Sequence, residues 1–229
     1  MKSMTRNGGL LAGLIFTSMS HVHAAFVVDH FASPLGGQAT GITNGIVGST
    51  STSFLSGLPI LGGSREIHLA INQIYDVGNQ SDGSANSNTS PDYLSYSNDA
   101  NVASTLRLTW DASGGGLNTS LVAETGLELL STFNDSATSY TISLETFGGG
   151  ISTQTVSTGA LFSGDVSFLL GGFVGGANLN DIDRIILSID GGRASDVTIH
   201  ALEAVPEPSS AGLAVVGAAA LGLLRRRRV

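Results

Sequence analysis

Between residues 25 and 205 no stretch sustains the 3.6-residue rhythm of a helix; apolar positions recur every second residue. Ile67, Leu69 and Ile71 alternate with Glu66, His68 and Asn72, and Leu106, Leu108 and Trp110 share one parity. Tyr140, Ile142 and Leu144 alternate with Thr141, Ser143 and Glu145. A period of two sends one set of side chains to each face of a strand, so these stretches read as strands with one buried face. The same reading places strands at residues 26–31, 93–97, 151–157, 166–170, 184–189 and 196–202. Residues 127–133 and 138–147 read as a hairpin around Asn134, Asp135 and Ser136. Residues 33–53, rich in glycine and polar side chains, read as a long connection with short strands. Residues 75–91, dominated by Asn, Ser, Asp and Gly, read as a surface loop that buries too little to order itself. About ten strands separated by close-set turn signals predict an all-β fold, a two-sheet antiparallel sandwich of jelly-roll type.

Charge narrows the partners. Residues 25–204 hold four arginines (Arg65, Arg107, Arg184, Arg193) and no lysine against seventeen acids, a balance of −13. Such a domain repels nucleic acid and anionic headgroups and suits divalent cations or neutral sugars. The absence of cysteine excludes disulfides, thiol catalysis and cysteine metal sites, so burial and hydrogen bonding hold the domain together.

The two ends are of another kind. Lys2 and Arg6 precede an apolar run at residues 10–19, and Val22-His23-Ala24 ends in small residues. This is the pattern of a removable signal helix, residues 1–24, cut between Ala24 and Ala25 by signal peptidase. At the other end Pro206-Glu207-Pro208 stops the preceding structure, because proline fixes φ and lacks an N–H. The uncharged residues 211–224 follow, then Arg225, Arg226, Arg227 and Arg228. Fourteen helical residues reach about 21 Å against a hydrocarbon core of roughly 30 Å, so a transmembrane helix here needs its serine flank and snorkelling arginine stems. A dense arginine cluster stays on the cytoplasmic side and sends everything before the helix across the membrane.

Val205-Pro206-Glu207-Pro208-Ser209, a short apolar helix and a terminal arginine cluster, in that order, resemble the PEP-CTERM sorting signal of Gram-negative bacteria. The resemblance covers residues 205–229. It implies recognition by an exosortase in the inner membrane, removal of the tail, release at the cell surface or beyond, and association with exopolysaccharide and biofilm. A looser likeness runs through Asp29-His30-Phe31, Gly62-Gly63-Ser64-Arg65, Trp110 and the stretch from Ile185 to Ile199. These are similar to exported proteins with galactose-binding-like sandwiches, a fold shared with carbohydrate-binding modules. It implies a sandwich over residues 25–204 and leaves Asp29 and Asp196 as calcium candidates.

Few residues offer chemistry of their own. His30, His68 and His200 lack metal-motif spacing. Asp181, Asp183 and Asp190, and separately Asp76 and Asp82, supply hard oxygen donors but no calcium-loop pattern, and read as solvated turn acids. Glu66, Glu128 and Glu145 take outward positions on separate strands, and no catalytic-triad pattern accompanies them. The parity of Trp110 makes it a core residue rather than a sugar platform. The sequence therefore reads as an exported, non-catalytic β-sandwich acting in an extracellular polysaccharide matrix, with carbohydrate binding as the specific version. The alternatives are a polysaccharide hydrolase or lyase on the same scaffold and a glycosylated structural surface protein.

Overall fold

The structure, a computed structural model, describes residues 26–31, 38–76, 83–90 and 92–207. In chain order these form β1 (Val27–Asp29), β2 (Ala39–Gly45), β3 (Thr50–Ser56), β4 (Ser64–Ile74), β5 (Gly83–Ser90), β6 (Tyr93–Asn98), β7 (Val102–Trp110) and β8 (Glu124–Asn134). There follow β9 (Thr138–Thr146), β10 (Ile151–Thr158), β11 (Phe162–Leu169), β12 (Val174–Gly175), β13 (Ile182–Gly191), β14 (Asp196–Ile199) and β15 (Ala201–Pro206). The fold is all-β, as the alternation predicts. The expected signal helix and C-terminal transmembrane helix lie outside the described residues. Among those described, no helix is long and apolar enough to cross a membrane.

The strands make two antiparallel sheets. The first runs β1-β15-β8-β14-β6-β5-β2, with β11 on the other edge of β8; the second runs β12-β10-β9-β13-β7-β4-β3. Ile67, Leu69, Leu106, Leu108, Trp110, Tyr140, Ile142 and Leu144 from the second sheet meet Leu94, Tyr96, Leu127, Leu129, Phe168 and Leu202 from the first in one core. Alternate residues of the second sheet point outward, and Thr141, Ser143 and Glu145 take the exposed phase the alternation assigned them.

Three local expectations are corrected. Residues 127–133 and 138–147 do not form a hairpin: β8 belongs to the first sheet and β9 to the second. The chain crosses between layers at Asp135, and the Asn134 amide donates to the Ser136 and Gly159 carbonyls to hold the corner. Alternation reports which face is buried, not which strand lies alongside. The polar stretch 83–90, expected as loop, is β5, paired on both edges with β2 and β6. Its inward positions are Ala85, Ser87 and Thr89, small enough to bury, and the Thr89 hydroxyl is held by Gln38. Residues 196–202 form two strands rather than one, broken at His200, both lying on the same edge of β8. Ser131 of β8, opposite the break, has φ 47° and kinks the edge they share.

One polar centre ties the layers together. Arg65, on the inner face of β4, is buried and donates to the Asp29 carboxylate at 2.6 Å, to Gln38 Oε1 at 2.9 Å and to the Thr89 hydroxyl at 3.2 Å. The Trp110 indole N–H donates to the same Asp29 oxygen at 2.9 Å, and the Phe31 N–H to the other at 2.6 Å. The guanidinium lies 5.7 Å from the centre of the Phe31 ring. A buried ion pair is tolerable only when its remaining hydrogen-bonding positions are filled, and here they are.

Candidate functional site

The outer face of the second sheet carries the densest set of unburied chemistry. Strand register sets Glu66 of β4 beside Thr109 of β7, and His68 beside Arg107. On the far edge of β7, Arg107 faces Ser188 of β13 and Thr109 faces Ile186. One row further, Arg184 of β13 lies opposite Glu145 of β9. Glu66, His68, Arg107, Thr109, Asp111 and Arg184 line a shallow hollow of about 280 Å³.

The two arginines of the hollow are used differently. Arg184 donates to Glu145 at 2.9 Å and to Asp111 at 3.5 Å, while its Nε is buried without a hydrogen-bond partner among the described residues. Arg107 is exposed and makes no hydrogen bond or ion pair among the described residues. Of the other two cations, Arg65 is saturated in the interior and Arg193 is bonded to Ala100 and Asn101. Arg107 therefore stands on this face with its donors unused among the described residues, beside acceptors and hydroxyls. At the rim Phe54 of β3 pairs with Glu66 and is 52% exposed. Beyond the hollow the hydroxyls form cross-strand pairs, Thr141 with Thr155 at 2.8 Å and Ser139 with Ser157 at 2.9 Å. Partial burial pushes the carboxyl of Asp190, on the same face, above its ordinary value.

The predicted candidates disperse. Glu128 belongs to the first sheet. Glu66 and Glu145 share a face but stand three strand intervals apart, about 14 Å at ~4.8 Å each, beyond the roughly 5–9.5 Å of a glycosidase pair. Asp111 and Glu145 do converge, but the Arg184 guanidinium lies between them, where a glycosidic oxygen would have to sit. His68 is on the second sheet, whereas His30 and His200 line a separate hollow of about 360 Å³ on the first with Asp92 and Glu203. The Tyr93 ring lies 6.3 Å from that of His200. No three His, Asp or Glu among the described residues gather as a metal site.

The calcium candidates Asp29 and Asp196 do not meet. Asp29 pairs with Leu202, and Asp196 lies six residues earlier along that edge, roughly 20 Å of extended chain. The Asp29 carboxylate is already filled by Arg65, Trp110 and Phe31, which leaves no open oxygen for an ion. Trp110 is fully buried, the core role its parity gave it. Phe54, Arg107 and Arg184 were missed as site residues. Phe54 sits in the serine- and threonine-rich β3, and the one available signal was a bulky apolar residue in an otherwise polar alternation.

Of the sorting candidates, Pro206 ends β15 and Glu207 follows it, its N–H donating to the Ala123 carbonyl at 3.1 Å. Ala24, Ala25, Pro208 and Arg225–Arg228 lie outside the described residues. Residues 204–228 match the family model of the PEP-CTERM protein-sorting motif. The chain carries a PEP-CTERM sorting signal. Such a motif is the C-terminal membrane-anchor sorting signal of secreted proteins.

No curated protein matches the sequence. Among solved structures, the chain is similar to a family 11 carbohydrate-binding module from Clostridium thermocellum in complex with a β-1,3-1,4-mixed-linked tetrasaccharide. That match has 10% identity and TM-score 0.40, covering 80% of this chain and 95% of the other. It is also similar to TmCBM61 in complex with β-1,4-galactotriose, at 12% identity and TM-score 0.33, covering 76% and 90%. An exo-β-agarase matches at 14% identity and TM-score 0.39, over 69% of this chain and 23% of the enzyme.

Proposed function

We propose that residues 25–204 are an exported, non-catalytic carbohydrate-binding sandwich that holds a neutral polysaccharide on the outer face of the second sheet. Signal peptidase removes residues 1–24 and an exosortase processes residues 205–229 at the inner membrane, so that the domain works at the cell surface or in the extracellular polysaccharide matrix. The observation that carries the reading is Arg107, an exposed guanidinium with no partner among the described residues, set among Glu66, His68, Thr109 and Ser188. Sugar hydroxyls both donate and accept, and a shallow face that alternates guanidinium, carboxylate and hydroxyl groups answers them in kind. The charges of the hollow nearly cancel locally, which favours an uncharged chain over a polyanion. Binding is preferred to hydrolysis because Arg184 fills the space between the two carboxylates that converge.

Affinity electrophoresis against neutral and uronate-containing polysaccharides, followed by calorimetry on any hit, tests the reading. The expected result is retardation by a neutral glycan that Arg107→Ala weakens at least tenfold with the unfolding midpoint unchanged. Retention by uronates alone, or binding indifferent to Arg107, would sink it.

A further inference from the structure

The sorting motif and the sandwich share residues. The matched region begins at Ala204, which is fully buried in the core. Its neighbours are hydrogen-bonded on both sides. On one edge the Ala204 N–H donates to the Phe26 carbonyl at 2.9 Å, beside the pairing of Val27 with Glu203. On the other, Val205 pairs with Gly126 and Pro206 with Glu124; the Thr125 hydroxyl donates to the Val205 carbonyl at 3.1 Å, and the Glu207 N–H to Ala123. The first half of Pro206-Glu207-Pro208 is therefore the end of a sheet strand, not a tether beyond one.

We propose that the sandwich competes with the sorting machinery for this segment. The motif becomes a substrate only when Val205–Glu207 leaves β8, so local opening of that strand end sets the rate of processing. Extended peptides are recognised through their main-chain groups, and here the Val205 carbonyl is already committed to Thr125 of β8 and the Glu207 N–H to Ala123 just before it. The end is built to open. Val205 and Pro206 are only half-buried, whereas Leu202 and Ala204 are fully buried, so fraying stops where the core begins. Glu124, opposite Pro206, is buried with one carboxylate oxygen unpartnered among the described residues, and detachment of the strand returns it to water. The inference rests on exosortase processing of the tail and is independent of sugar binding.

Two changes to the full chain, followed by pulse-chase in an exosortase-bearing host, decide it. Thr125→Val removes the hydroxyl from the Val205 carbonyl without altering the motif or its distance from the membrane. It should speed loss of the tail roughly three- to tenfold, the weight of one such bond. A six-residue Gly-Ser insertion between Val205 and Pro206 frees the motif outright. It should speed release at least as much and make the Thr125→Val change silent. Release unchanged by either alteration, or sped equally by Thr125→Val with and without the insertion, overturns the proposal. A tail retained in every form, the parent included, overturns the processing step itself, a failure distinct from the first because there every form still loses its tail at the parent's rate.

Discussion

Arg65 and Arg107 stand on adjacent strands of one sheet, β4 and β7, and differ by which face they occupy. The inner guanidinium has four contacts, a carboxylate, an amide, a hydroxyl and an aromatic ring, and Trp110 donates to the same carboxylate. The outer one has no partner among the described residues. In a domain with four cations, this is a division of labour. The buried charge had to be satisfied for the fold to be viable, while the exposed charge remains free because water satisfies it until a ligand does. What the pair teaches is that saturation marks structure and spare donor capacity marks recognition.

The contrast breaks first, and by most, at Arg65. Arg65→Ala leaves the Asp29 carboxyl buried without its cation and should cost about 3–5 kcal/mol in urea unfolding. Replacing both partners, with Arg65→Met and Asp29→Leu, should recover part of that and leave about 1–3 kcal/mol, because the Trp110 and Phe31 N–H groups then lack an acceptor. A loss below 1 kcal/mol in the single variant would mean that the inner and outer arginines are energetically alike.

The interior carries a second signature, in its two buried phenols. Burial pushes the Tyr96 and Tyr140 hydroxyls up from 10.0 to about 12, against the pull of the hydrogen bonds to Ser104 and Asn98 at Tyr96 and to Thr158 and Thr138 at Tyr140. A raised phenol value means that the folded state keeps its proton after the unfolded chain has lost it. The stabilisation is therefore complete below pH 10 and disappears as pH climbs towards 12, by roughly 2–3 kcal/mol for each ring. Urea midpoints at pH 9, 10 and 11 should fall slightly over the first step and more steeply over the second. With Tyr96→Phe and Tyr140→Phe together, the fall should become shallower. An unchanged slope would place the alkaline transition elsewhere.

On the outer face the order of effects reverses. Arg184→Ala removes two pairs that are partly open to solvent, worth about 0–1 kcal/mol of stability. The same change should weaken glycan binding about tenfold in calorimetry. If stability fell more than affinity, Arg184 would belong with Arg65 as a structural residue.

How much of this was legible follows from the same distinction. Alternation identified the buried faces of β4, β7 and β9, because core burial writes a period of two into the sequence. It could not identify β5, whose inward Ala85, Ser87 and Thr89 are buried by size and hydrogen bonding rather than hydrophobicity. Nor could it pair β8 with its true neighbours, since register between distant strands leaves no local mark. The sorting motif was readable because proline, glutamate and arginine act through covalent geometry and charge, and so was a last strand running up to Pro206; the bonds that hold Val205 to Thr125 and Glu207 to Ala123 were not. The role of Asp29 was missed for a similar reason: its three donors come from residues 2, 36 and 81 positions away. Arg107 and Arg184, 77 positions apart in sequence, meet only because β7 and β13 are neighbours.

The smallest effect locates the ligand on the sheet. Phe54 lies at the β3 edge with its ring 52% exposed beside Glu66, while Phe147, 84% exposed, follows β9 towards the opposite edge. An aromatic ring contributes to sugar binding by lying flat under the C–H groups of a pyranose. By analogy with aromatic pairs it should be worth about 0.5–1.5 kcal/mol, or at least twofold in affinity. Both phenylalanines are exposed, so Ala at either should leave the unfolding midpoint within about 0.5 kcal/mol. Affinity should therefore separate them where stability cannot. Phe54→Ala is expected to weaken binding about threefold, with Phe147→Ala unchanged, if the polysaccharide crosses from β3 over the Arg107 hollow. The reverse ranking would move the chain to the β9–β10 side, where Arg184 and Glu145 would meet it without Arg107, and would leave Arg107 as a solvated surface charge.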